Sequence, residues 1–186
     1  FALADGTAET ANKVTLTGNC RLITSGEQKT GVKGTGLSLA HETYGFDHVD
    51  LTLAEGGRIE TDGANAYGIA AGDYNTLSIE GTIVTAGSSS DGVALFGGGN
   101  HLNTSATSVI RTSGDSANGL WAGYGTVGGT DHSVSNEITA AGLIETSGNG
   151  AAGIFVYLNA DVTLQGRIAT TGRGSAGIAS DGNGYL

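Results

Sequence analysis

Apolar and polar residues alternate along this chain in short runs, and nowhere at helical spacing over three turns. One run recurs six times. An aliphatic residue at Leu22, Ile59, Ile83, Ile110, Ile144 and Ile168 is followed two positions on by Thr24, Thr61, Thr85, Thr112, Thr146 and Thr170. Four positions on stand Gly26, Gly63, Gly87, Gly114, Gly148 and Gly172. Nine positions on stand Gly31, Gly68, Gly92, Gly119, Gly153 and Gly177, followed by Val32, Ile69, Val93, Leu120, Ile154 and Ile178. Successive copies lie 37, 24, 27, 34 and 24 residues apart. Periods of this size belong to solenoids or arrays.

A second alternating run precedes most copies: Val14-Thr15-Leu16, Val49 to Leu53, Leu77-Ser78-Ile79 and Val162-Thr163-Leu164. Weaker versions are Leu102-Asn103-Thr104 and Val134 with Ile138. Period-two alternation of β-branched residues reads as half-buried strand. Each unit then holds three strands: the preceding run, the aliphatic-x-Thr segment, and a strand opening at the closing aliphatic. Three-strand coils of about 24 residues stacked in parallel make an all-β fold, a single-stranded parallel β-helix of about six to seven coils. Aliphatic and Thr, two apart, both face the core. Glu60, Val84, Arg111, Glu145 and Ala169, between them, face outward. The glycines are expected at corners, where positive φ suits them. Residues 1–186 form one solenoid segment, with insertions near 33–48, 97–101 and 123–133. Neither end reads as a polar cap, so the segment is expected to belong to a longer solenoid or to stack end to end.

Composition sharpens this. Gly accounts for 34 of 186 residues and Pro for none; spaced among Ile, Leu and Val, that Gly fits an ordered repeat. A net charge of −10 argues against nucleic acid as a partner. Cys20 is the only cysteine, so no internal disulfide or cysteine metal framework exists; it reads as a small residue packed at a coil corner. No run approaches the length of a membrane helix, so no direct membrane insertion by this segment is expected. Ala2-Leu3-Ala4 reads either as the tail of a signal-peptide cleavage site or as strand.

Candidate chemistry is sparse. Glu60 and Glu145 are outward acids that a polysaccharide-cleaving β-helix could use, yet the coils between them carry Val84 and Arg111. Asp62, Asp73, Asp91, Asp115 and Asp181 fall mainly in Gly-containing turns, where Asp serves local backbone hydrogen bonds. His41, Glu42, Asp47 and His48 form the one dense group of potential metal ligands; His41, Asp47 and His48 are the metal candidates, at spacing that matches no closed motif. No cofactor is expected. Gly97-Gly98-Gly99-Asn100 has half of a calcium β-roll repeat with nothing at the nonapeptide period. No catalytic motif stands out. The residues after the closing aliphatic face outward: Lys33, Ala70, Ala94, Trp121, Phe155 and Ala179. Two further on, Phe96 and Tyr157 do the same. Phe96, Trp121, Phe155 and Tyr157, with Tyr124 nearby, are expected to form an aromatic stripe that a partner, a glycan or an insertion loop covers.

The segment Gly166-Arg167-Ile168-Ala169-Thr170-Thr171-Gly172-Arg173-Gly174-Ser175-Ala176-Gly177-Ile178 resembles the passenger domains of bacterial autotransporter adhesins, built on long runs of G-x-I-x-T-x-G-x-x-S-x-G-I. The likeness covers about residues 14–186. It implies a right-handed parallel β-helix exported to the bacterial cell surface. It also implies adhesion, self-association or a structural stalk, with a second copy or a host or matrix surface as partner and no enzyme activity. Residues 1–186 do not themselves include the C-terminal membrane barrel of a full family member, and the family carries no shared catalytic residues. Two other readings stand beside it: a fibre subunit polymerising head to tail, and a carbohydrate-binding or carbohydrate-cleaving β-helix.

Overall fold

The structure, a computed structural model, describes residues 11–25, 47–123, 133–157 and 160–181, and the backbone of 37–39. Three parallel sheets of six strands each run the length of the described chain, with no helix among the described residues. The first sheet holds Asn12–Leu16, Val49–Leu53, Thr76–Ile79, His101–Thr104, Asn136–Ala140 and Ala160–Leu164. The second holds Arg21–Thr24, Arg58–Thr61, Thr82–Thr85, Val109–Thr112, Leu143–Thr146 and Arg167–Thr170. The third holds Leu37–Leu39, Ile69–Ala71, Val93–Leu95, Leu120–Ala122, Ala152–Val156 and Ala176–Ser180. The chain visits the sheets in strict rotation, so each circuit is one coil of a parallel β-helix.

The register is the one the repeat dictates. Leu22, Ile59, Ile83, Ile110, Ile144 and Ile168 pair in sequence, as do the six Thr two residues on. From coil two to coil five these aliphatics are buried with Leu51, Leu77, Leu102, Ile69, Val93 and Leu120 in one continuous core. Each fully buried aliphatic contributes roughly 1.5–3 kcal/mol. The inward Thr are not merely tolerated. Thr61 Oγ1 donates to the carbonyl of Ala66 at 2.6 Å, Thr85 to Ser90 at 2.5 Å, and Thr112 to Ala117 at 2.6 Å. Each bond ties the end of a second-sheet strand across the turn that follows. Thr146 Oγ1 is buried without a partner.

The glycines follow a different rule from the one expected. Among the described residues, those four positions after the aliphatic, Gly63, Gly87, Gly114, Gly148 and Gly172, do not adopt positive φ. They are required by the approach of neighbouring coils: a Cβ on Gly87 would lie 1.9 Å from the carbonyl oxygen of Gly63, one on Gly114 1.8 Å from that of Gly87, and one on Gly148 1.7 Å from that of Gly114. The left-handed position falls two residues later, at Asn65, Ser89, Ser116, Gly150 and Gly174, with φ between 51° and 70°. Three of those five are not Gly, which is why the sequence pattern points to the wrong corner.

Two further expectations change. In coil one the strand that pairs with Ile69–Ala71 is Leu37–Leu39, with Leu37 opposite Ile69 and Ser38 opposite Ala70; Val32 and Lys33 lie outside the described residues. Both sites read Gly-aliphatic, since Gly36 precedes Leu37, and strand pairing selects the second. Gly97 to Asn100 do not leave the stack: all four are buried. That turn exceeds its counterpart in coil two by one residue, and the stretch from Ser105 to Ser108 supplies the other two extra residues of that coil. The expected insertions near 33–48 and 123–133 fall largely outside the described residues.

A one-carbon addition separates the two glycine rules. Gly114→Ala is expected to lower stability by about 1–3 kcal/mol through forced separation of two coils. Ser116→Gly, which relieves a left-handed Ser, should change it by less than about 1 kcal/mol. Urea unfolding of both variants measures the contrast, and equal effects would contradict the coil contact.

Candidate functional site

The turns between sheets are held by side-chain ladders that the periodic pattern did not reveal. At the entry to the first sheet, Asn75, Asn100 and Asn136 stack one above another in the interior. Asn136 Oδ1 accepts the backbone N–H of Asn100 at 3.0 Å, Asn100 Oδ1 that of Asn75 at 2.9 Å, and Asn75 Oδ1 that of Val49 at 3.0 Å. Asn75 Nδ2 is buried without a partner, next to the apolar Val49 in the stack. The signal was present as Asn two residues before an inward aliphatic, in Asn75-Thr76-Leu77, Asn100-His101-Leu102 and Asn136-Glu137-Ile138. Just before three members of this column, His48 ahead of Val49, Tyr74 ahead of Asn75 and Gly99 ahead of Asn100 take left-handed backbone. His48 stacks on Tyr74 with ring centroids 5.3 Å apart.

A second ladder closes the turn before the third sheet. Asp91 Oδ1 accepts both the backbone N–H of Asn118 at 2.7 Å and its side-chain Nδ2 at 3.0 Å. Asn118 Oδ1 in turn accepts the N–H of Ala152 at 2.8 Å. Asp115 and Asn149 repeat the arrangement on the exposed side of the same turn. Burial pushes the Asp91 carboxyl up to about 7, against the opposing pull of its bonds from Asn118. Burial, and then the Asp91 charge, raises the neighbouring Tyr67 phenol to about 12.

The sequence-derived site residues separate. Glu60 and Glu145 share one outward column, three coil steps apart, roughly 14 Å at the usual strand spacing. That exceeds the roughly 6.5–9.5 Å that an inverting pair of carboxylates needs. Both are engaged: Glu60 accepts from Arg58 and, through two oxygens at 2.9 and 3.0 Å, from Arg21. These bonds hold its carboxyl down at about 2. Arg111 donates to Glu145 at 2.5 Å. His41, of the metal candidates, lies outside the described residues. Asp47 Oδ1 accepts the N–H of Asp73 at 3.2 Å, while His48 is the turn residue stacked on Tyr74. Among the described residues no group of three or more His, Cys, Asp or Glu could hold a metal ion.

The aromatic residues gather on the outside of the third sheet, as expected, but not as one open stripe. Phe96 is only 5% exposed and packs with Ala70, Ala94, Tyr67 and Trp121 in a second, smaller apolar cluster. Its ring meets Trp121 at 5.3 Å and Tyr67, edge on, at 5.2 Å. Alternation places a side chain outward, but it does not say whether neighbours bury it there. Trp121, Phe155 and Tyr157 are half-buried; Tyr124 lies outside the described residues.

Two surfaces remain open. The outer face of the first sheet carries Thr15, Thr52, Ser78, Asn103, Thr139 and Thr163 in one register column, and Lys13, Asp50, Thr76, His101, Glu137 and Asp161 in the other. His101 Nδ1 lies 2.9 Å from Glu137 Oε2 within that face. On the second sheet two shallow depressions meet at Val84. One, of about 340 Å³, is lined among others by Val84, Arg111, Ser113, Glu145, Ser147, Ala169 and Thr171. The other, of about 180 Å³, is lined by Ile23, Thr24, Glu60, Thr61, Asp62, Val84 and Ala86. No family model, curated protein or solved structure matches the chain. No helix of the described residues is long and apolar enough to cross a membrane.

Two substitutions test these assignments. Phe96→Ala should cost about 3–5 kcal/mol if Phe96 is core, and less than about 1 kcal/mol if it is free surface. The Asp91 effect has a definite sign. Its folded pKa lies above the roughly 3.9 of an unfolded aspartate, so the folded chain binds the extra proton between pH about 4 and about 7. Stability from this group therefore falls as pH rises through that window and is flat above it. Asp91→Asn keeps an acceptor for Asn118 and removes the titration. Its urea midpoint should gain on the wild type steadily from pH about 4 to about 7; a pH-independent difference would contradict the burial of the charge.

Proposed function

We propose that this chain is a non-enzymatic segment of an exported surface protein, and that it acts in self-association or adhesion through the outer face of its first sheet. The observation that carries this is the pair of polar columns running in register over six coils. Thr, Ser and Asn on a fixed β scaffold lose little side-chain entropy on docking. Each offers both a donor and an acceptor. The single contact is weak, but the coils repeat it at constant spacing, so contacts made together add in the manner of linked sites. A second copy presents the same spacing, so two such faces stay in step along their length, and a second copy is therefore the favoured partner.

Two observations support the non-enzymatic part. The outward carboxylates of Glu60, Glu137 and Glu145 each face a basic side chain. The strongest pKa perturbation, at Asp91, belongs to a buried turn ladder and not to a cleft. The resemblance of the repeat to autotransporter passengers supports export and a cell-surface location.

Sedimentation velocity across a wide concentration range tests the proposal. The wild type should associate as concentration rises. A triple variant, Thr52→Arg, Asn103→Arg and Thr139→Arg, lines one column with like charge and should remain monomeric with an unchanged melting temperature. A wild type that is monomeric throughout would contradict self-association, and equal association by the variant would move it off this face.

A further inference from the structure

The second sheet carries a feature that self-association through the first sheet does not use. Its outward column and the exposed column just past the Thr ladder form two rims, with the inward-turned Thr between them. The chain surface dips along that line, and the dip continues from Ile23 in coil one to Thr171 in coil six, its two parts meeting at Val84. Five coil steps make a trough roughly 24 Å long, parallel to the solenoid axis.

We infer that this trough is a binding site for an extended, uncharged polysaccharide chain. The shape selects a linear polymer, since the trough is long, straight and shallow. The backbone cannot recruit a peptide as an added strand, because strands of the second sheet from coil two to coil five are paired on both sides. A second copy is a poor occupant, since two concave faces leave each other unfilled. Charge selects against polyanions: Arg111 is already neutralised by Glu145 at 2.5 Å, and the chain carries −10 overall.

The remaining chemistry suits sugar. A guanidinium has five N–H donors, and Arg111 gives only part of them to Glu145. The Glu145 carboxylate keeps free lone pairs for ring hydroxyls. Ser113, Ser147 and Thr171, all exposed, line the opposite rim. Val84, between Glu60 and Arg111, and Ala169, beyond Glu145, are short apolar spots sized for the C–H faces of sugar rings. Glu60 and Glu145, the two acids of the outward column, stand too far apart for paired hydrolysis.

Affinity electrophoresis in gels containing hydroxyethylcellulose, galactomannan, xyloglucan or polygalacturonate tests this site apart from self-association. At least one neutral polymer should retard the wild type, and polygalacturonate should not. Ala169→Trp, which fills the trough from its outward column, should weaken that retardation at least about tenfold. The triple Arg variant of the first sheet should retain it. Should Ala169→Trp lower the melting temperature, the paired Arg111→Ala, Glu145→Ala variant takes its place, with the same loss expected. Failure of all three neutral polymers to retard the protein would overturn the inference. So would retardation by polygalacturonate alone, or retardation unchanged by filling the trough. Loss of a sedimenting dimer on Ala169→Trp, with no glycan effect, would instead make the trough an interface between copies.

Discussion

Parallel pairing brings equivalent residues of neighbouring coils to the strand spacing of roughly 4.8 Å, and at several corners the backbone comes closer than a Cβ allows. Gly87, Gly114, Gly148 and Gly172 each would place a Cβ within 1.7–1.9 Å of the carbonyl oxygen of the glycine one coil below, the lowest of these being Gly63. Gly68, Gly92, Gly119 and Gly153 form a second such column, where a Cβ would meet the Ile of the next coil at 2.3–2.4 Å. The core ladder depends on this contact. Only when the corners close to that degree do Ile59, Ile83, Ile110 and Ile144 stack without gaps, and only then can Thr61, Thr85 and Thr112 reach the carbonyl five residues on. The repeat is thus a backbone-packing rule written in side chains, and it holds the cross-section constant along the stack.

A constant cross-section divides the protein into a scaffold and three faces. The turns use Asn, Asp and Ser to bridge coils, so buried polar groups are spent on the scaffold. The third sheet's outer face is largely closed by Phe96, Tyr67 and Trp121 over two alanines. The first sheet's face is polar and periodic. The second sheet's face is grooved, with Glu60 and Glu145 paired to arginines within it. Periodic and grooved faces suit different occupants, which is why a second copy and a polysaccharide are proposed for different sides of the same stack.

The fold was legible because its constraint is periodic. The aliphatic-x-Thr-x-Gly string gave all six second-sheet strands, their register and which side chains face inward. It misassigned the glycines, since close approach leaves no trace in a single φ preference and the left-handed corner at Asn65, Ser89 and Ser116 is filled by three polar residues. It missed the Asn stack because Val49 and Ala160 interrupt that column among Asn12, Asn75, Asn100 and Asn136. Gly31-Val32 and Gly36-Leu37 look alike locally, and only pairing shows that Leu37 stands opposite Ile69. The candidate surfaces were half legible. Alternation identified Glu60, Glu145, Trp121 and Phe155 as outward. It could not tell that Phe96 is buried where it points outward, or that the acids meet arginines from neighbouring coils, because both depend on side-chain reach across strands.

Everything above requires six coils in one unbroken register. Nitroxide labels at Ile23 and Ala169, both in the outward column of the second sheet, test that directly in a Cys20→Ser background. Pulsed dipolar spectroscopy should give a single narrow distance distribution centred near five coil steps, roughly 24 Å before the label linkers are added. A broad distribution, or a centre displaced by more than about one coil spacing beyond the linkers' reach, would contradict the stacked register.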